Sequence, residues 1–160
     1  MSIATLELSL PVALSMFSDL VGKRVTGQET AEVDLSGEGG LVRGVYECDG
    51  RAGALYLMDV SLAASIGAAL VMMPAGVVKE SVQEKTLLPT LVDNTHEVLN
   101  VASRLINRAG GAHYKLREQV LPGQALPEDA TAVLTQVTLR TDLELTVDGY
   151  GGGVLTILVA

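Results

Sequence analysis

Asp93, Glu97 and Asn100 stand at i, i+4 and i+7 within the stretch Leu87 to Arg108, and Arg104 follows one turn later. At about 100° per residue with Asp93 set to zero, Glu97 falls near +40°, Asn100 near −20° and Arg104 near +20°. A carboxylate and a neutral amide thus share one helix face, the first able to pair with a cation and the second able to donate and accept hydrogen bonds at once. Asp93 and Glu97 are like charges at i and i+4, which costs roughly 0.2–0.5 kcal/mol in an isolated helix. Glu97 also lacks a cation three or four positions away, where Asp93, Asn94, Asn100 and Val101 stand. A carboxylate left unmatched in this way fits an external cation. Solvation alone also puts polar residues opposite a core, and periodicity by itself does not separate the two readings.

Other chemistries find less support. The run Asp148-Gly-Tyr-Gly-Gly-Gly would need to open into a helix to cradle a phosphate, yet the strand-like Val154 to Val159 follows, so a hairpin turn explains it. Cys48, the single cysteine, lies in a strand pattern beside Tyr46 and reads as a buried structural thiol. His96 and His113 have no recognisable metal-ligand spacing, and no metal site is expected.

The long helix must be held by a core. Leu88, Leu91, Val98, Leu99, Ala102, Leu105 and Ile106 all fall beyond about ±120° from Asp93 and form its buried face. Thr86 is a candidate cap, with Pro89 in the first turn and Gly110-Gly111 as the stop. Upstream, Pro11 to Leu20 has the one-face spacing of a short helix. Ala31 to Ser36 alternates like a half-buried strand, Gly37 to Gly40 turns the chain, and Leu41 to Cys48 and Ala54 to Val60 read as strands about an Asp49-Gly50 turn, a three-strand meander. Ser61 can cap a buried helix from Leu62 to Met73, which Pro74 and Gly76 end. Four strands are expected beyond the long helix: His113 to Val120, Ala132 to Leu139, Asp142 to Val147 and Val154 to Val159. The sum is one α+β domain over residues 1–160, an antiparallel-rich sheet with a short N-terminal helix and a long helix packed on it.

Composition agrees with a packed globule: 48% of the 160 residues are hydrophobic and 19% charged. The net charge of −8 argues against nucleic-acid binding, which runs on Lys and Arg. Met1 to Pro11 contains Glu7 and no positive residue, so a secretory n-region is missing and a cytoplasmic protein is expected. Val60 to Val78 carries no charge, but its Ser, Gly and Pro content argues for burial in protein rather than a membrane span. The final strand is almost continuously apolar, so it is either central in a sheet or paired across an interface.

Asp93-x-x-x-Glu97-x-x-Asn100 on a long helix, followed by a strand and Pro122, resembles the signature of the CheC, CheX and FliY chemotaxis phosphatases. The element order is similar to theirs over essentially the whole chain. Only one Glu-x-x-Asn element lies on a suitable helix, which resembles the single-site CheX branch. The resemblance implies hydrolysis of the aspartyl phosphate of a CheY-like response regulator. It implies that the partner's receiver domain supplies the acyl phosphate, its Mg²⁺ and a lysine, so this chain binds no cofactor of its own. Glu97 and Asn100 would be the catalytic pair, Glu97 on the partner's lysine and Asn100 orienting the attacking water. Asp93 matches the Asp or Ser of the signature, with a positioning role toward the partner. Relatives often carry Gly-Asn at the fourth and fifth positions after the asparagine, where this chain has Arg104-Leu105. Arg104 is therefore expected among the partner-binding residues, where it would obstruct a docked regulator, bond to Asn100 or change partner choice. The same resemblance implies a homodimer through sheet edges. It also allows a non-catalytic receiver-binding or flagellar-switch adaptor of the same fold.

Overall fold

The computed structural model describes residues 4–5, 10–34, 40–107 and 112–160. Seven strands form one sheet: β1 (Ala4–Thr5), β2 (Val25–Glu29), β3 (Leu41–Cys48), β4 (Arg51–Asp59), β5 (Lys115–Val120), β6 (Leu139–Val147) and β7 (Gly151–Val159). Their order is β5-β3-β4-β7-β6, and the outer edge of β6 is shared between β2, antiparallel along Leu143 to Val147, and β1, parallel at Leu139 and Arg140. The helices are α1 (Leu10–Val21), α2 (Val60–Leu70), α3 (Gly76–Glu84), α4 (Pro89–Ala102) and α5 (Glu128–Thr135), with a single 3-10 turn at Ser103–Leu105.

Alternation along the strands divides the apolar residues between two faces. Tyr46, Tyr56, Met58, Leu143, Leu145, Leu155 and Ile157 point to the face covered by α1, α2 and α4. Val45, Leu55, Leu57 and Leu158 point to the other, where Ala130 and Val133 of α5 pack. α1 presents Ala13, Phe17 and Val21, one residue per turn, to the core. The Asp49-Gly50 turn has φ of 54° and 79°, positive at both positions as a two-residue hairpin joining twisted strands requires. β7 lies between β4 and β6, so its apolar sequence is explained within the chain. The glycine-rich run forms the β6–β7 turn, with Val147 opposite Gly151.

Several expectations are corrected. Residues 31–34 are irregular and 35–39 lie outside the described residues; the strand in this region is Val25–Glu29, and it pairs with β6 rather than starting a meander. Its Gly27 lies so close to β6 that a Cβ would collide with the Glu144 carbonyl oxygen. The buried helix starts at Val60 and its cap is Asp59, whose carboxylate accepts from the Leu62 N–H at 2.9 Å. Ser61 instead donates to the Gly152 carbonyl at 2.6 Å. That helix ends at Leu70, and Gly76 opens α3. The first half of Ala132 to Leu139 is the end of α5, whose positive end Glu128 and Asp129 favour, and β6 begins only at Leu139. Cys48 is half-buried at the end of β3 rather than buried, its thiol 3.8 Å from the Asp49 carboxylate. His113 is exposed and precedes β5. Among the described residues no helix is long and apolar enough to cross a membrane.

Candidate functional site

α4 begins at Pro89, whose missing N–H costs nothing in a first turn, with Leu88 as its cap; Thr86 does not cap it. Leu91, Thr95, Val98, Leu99 and Ala102 form the buried face. Asp93, Glu97 and Asn100 are exposed on the opposite face, with His96 exposed beside them. The carboxylates of Asp93 and Glu97 and the amide of Asn100 make no ion pair or hydrogen bond to another described residue. The expected helix to Arg108 is shorter: Ala102 ends α4, Ser103–Leu105 tightens into the 3-10 turn, and 108–111 lie outside the described residues. Arg104 is therefore exposed on that turn, where it lines an open groove between α1 and α4 with Val101, Val12, Met16, Asp19 and Leu20. It makes no hydrogen bond to Asn100. Pro122 packs against Gly40.

The sheet holds the exposed face in place through two bonds. The Tyr46 hydroxyl donates to the Leu99 carbonyl at 2.5 Å, and the Tyr56 hydroxyl donates to the Ala102 carbonyl at 2.6 Å. The last turn of a helix leaves carbonyls without intrahelical donors, and buried ones must find partners. Burial pushes both phenols upward, with Tyr56 adding to the effect on Tyr46, so both remain neutral donors. Their rings lie 4.6 Å apart. The two anchors flank Asn100 in sequence. Nothing in the exposed motif indicates them; the only hint is that the two tyrosines sit in adjacent strands of a chain with five aromatic residues.

On its other flank α4 meets α2 closely. A Cβ on Gly67 would stand 2.7 Å from the Thr95 hydroxyl oxygen. Thr95 donates to the Ala63 carbonyl at 3.4 Å, and the Asn94 amide donates to the Gly67 carbonyl at 3.2 Å. Asn94 is thus a structural partner of α2, although it lies next to Asp93. Gln119 of β5 donates to the Val92 carbonyl at 3.0 Å and fixes the remaining side.

No family model and no curated protein matches the chain in sequence. Solved structures do match in shape. Thermotoga maritima FliY aligns at a TM-score of 0.53 and 14% identity, covering 92% of this chain and 82% of that one. A chain of the CheX–CheY–BeF3–Mg complex from Borrelia burgdorferi aligns at 0.50 and 14%, covering 94% and 93%. This chain has the CheX, FliY and FliM fold. A chain of the FliG–FliM complex from H. pylori aligns at 0.55 and 12%, covering 93% and 85%. At these identities the likeness carries the CheX-like architecture and not the chemistry of its residues.

Proposed function

We propose that this protein is a phosphatase that hydrolyses the aspartyl phosphate of a CheY-like response regulator, with Glu97 and Asn100 inserted into the receiver's active site. The observation that carries the reading is that Asp93, Glu97 and Asn100 are exposed and without a side-chain partner among the described residues, on a helix whose backbone is pinned on both sides of Asn100. A side chain that must enter another protein's pocket has to be free at its tip and fixed at its base, because positioning supplies much of the rate in phosphoryl transfer.

In this reading the receiver brings the acyl phosphate together with its Mg²⁺, and no group of this chain binds phosphate directly. The Glu97 carboxylate pairs with a receiver lysine and sets the docked register. The Asn100 amide holds a water in line with phosphorus, so that the new O–P bond forms as the bond to the aspartyl oxygen breaks and inorganic phosphate leaves. Asp93 and Arg104 contact the receiver around this pair. The test is decay of a radiolabelled receiver phosphate, run across the receiver domains of the source organism. Wild-type protein accelerates decay of its cognate receiver, and Asn100→Ala loses at least tenfold of the acceleration; unchanged decay of every receiver rules the enzyme out.

The second reading is an adaptor that docks a receiver or flagellar-switch partner without catalysis. The fold likeness to FliM and FliY and the Arg104 side chain beside the site favour it. Tight binding of a receiver with no change in phosphate decay selects this alternative. The proposal also includes a homodimer through a sheet edge, where β5 is the terminal strand of the described sheet. Sedimentation equilibrium decides it.

A further inference from the structure

α2 closes in a two-bond cap: the Met73 N–H donates to the Ala68 carbonyl at 2.9 Å and the Met72 N–H to the Ala69 carbonyl at 3.2 Å. This cap requires a left-handed residue, and Met72 supplies it at φ 56°. Glycine adopts that conformation without a Cβ penalty and is the usual occupant. Met72 is 74% exposed and its neighbour Val71 is 53% exposed. The methionine thus gives the fold nothing that glycine would not. Lys85 holds a similar conformation at the end of α3, but a solvated ammonium is an ordinary surface group. Among the described residues only Met72 combines a left-handed backbone with an exposed large apolar side chain.

The cap adjoins the site. The Asn94 amide bonds both the Gly67 carbonyl and, at 3.8 Å, the Met73 sulfur, and Asn94 follows Asp93 on α4. Two side chains are far too small a patch for a separate stable partner, which needs on the order of 1,000 Å² of interface. They suit the rim of a larger footprint centred on α4. Methionine is flexible and polarizable, and it adapts to a partner's surface.

We infer that Met72, with Val71, is an apolar contact for the receiver domain that docks on α4, setting affinity without taking part in the chemistry. This rests on the receiver-docking reading above. The experiment compares wild type, Met72→Gly, Met72→Gln and Asn100→Ala as full chains. It reads melting temperature, binding to beryllofluoride-activated receiver domains with Mg²⁺, and kcat and KM for loss of receiver phosphate. Met72→Gly is expected to melt higher than wild type, yet both Met72 variants raise Kd and KM at least fivefold with kcat unchanged. Asn100→Ala lowers kcat instead. If both Met72 variants keep wild-type Kd and KM while Asn100→Ala loses turnover, the contact is overturned and the phosphatase reading stands. If Asn100→Ala turns over normally while the Met72 variants bind weakly, the contact stands and the assigned chemistry fails. A lower melting temperature for Met72→Gly overturns the argument from the cap, and absence of any receiver binding by wild type overturns contact and function together.

Discussion

The Tyr46 hydroxyl on β3 donates 2.5 Å to the Leu99 carbonyl, one residue before Asn100. The sheet therefore reaches through the core and holds the backbone beneath the residue proposed to orient water. Tyr56 repeats the arrangement at Ala102, two residues beyond Asn100.

Tyr46→Phe keeps the ring but leaves the buried Leu99 carbonyl without its donor. The expected loss is about 1–3 kcal/mol in denaturant unfolding, the cost of an unsatisfied buried group. If the bond positions Asn100, turnover falls while receiver binding through Glu97 is kept. Unchanged stability shows that water or another donor replaces the hydroxyl.

Helix orientation separates two neighbours sharply. Leu99 is fully buried, and Leu99→Ala is expected to cost about 2–5 kcal/mol. Glu97→Ala and Asn100→Ala remove exposed side chains and are expected to change stability by about 0.5 kcal/mol or less. Comparable melting of all three proteins contradicts the assigned face.

Gly67→Ala places a Cβ 2.7 Å from the Thr95 hydroxyl oxygen and forces α2 and α4 apart, an overpacking cost of roughly 1–3 kcal/mol. Thr95→Ala removes the obstructing oxygen. In the double variant the loss is expected to be smaller than the sum of the two single losses, which a double-mutant cycle measures directly.

Acid sensitivity is expected to depend on Asp142. Burial pushes its carboxyl up, but the bonds from Arg140, the Thr156 hydroxyl and the Val33 amide outweigh that and hold it below its ordinary value of 3.8. A carboxyl depressed on folding contributes stability that is complete above its ordinary value and is lost as pH falls through the lower folded value. Burial raises Asp59, whose contribution runs in the opposite sense and declines as pH rises through its raised value. Asp142→Asn is expected to lower stability at neutral pH and flatten its fall below about pH 4 in urea titrations. A variant with the wild-type acid slope shows that other carboxyls dominate.

The long helix was legible because its apolar residues recur at the helical period and its polar residues gather opposite them. The β3–β4 hairpin was legible because an Asp-Gly pair between two apolar runs has few other uses. The misread segments have weak local signals. Val25 is the only buried residue of β2, and that strand exists because β6 offers it an edge. α5 contains the alternating β-branched stretch Thr131 to Thr135, yet Ala130 and Val133 fall on one helical face and pack on the sheet. α3 has only Val78 and Ser81 buried, too sparse a stripe to announce a helix.

Residue type and order alone determined which side chains of α4 turn away from the core, since helical period and the aversion of leucine and valine to water act within one segment. They also determined that a carboxylate and an amide share that surface and that the carboxylate has no cation three or four positions away. Tertiary structure decided where α4 stops, which strands anchor it and how Arg104 lies against α1. Those outcomes depend on hydrogen bonds and close approaches between residues tens of positions apart, such as Tyr46 with Leu99 and Gly67 with Thr95, which no local pattern records.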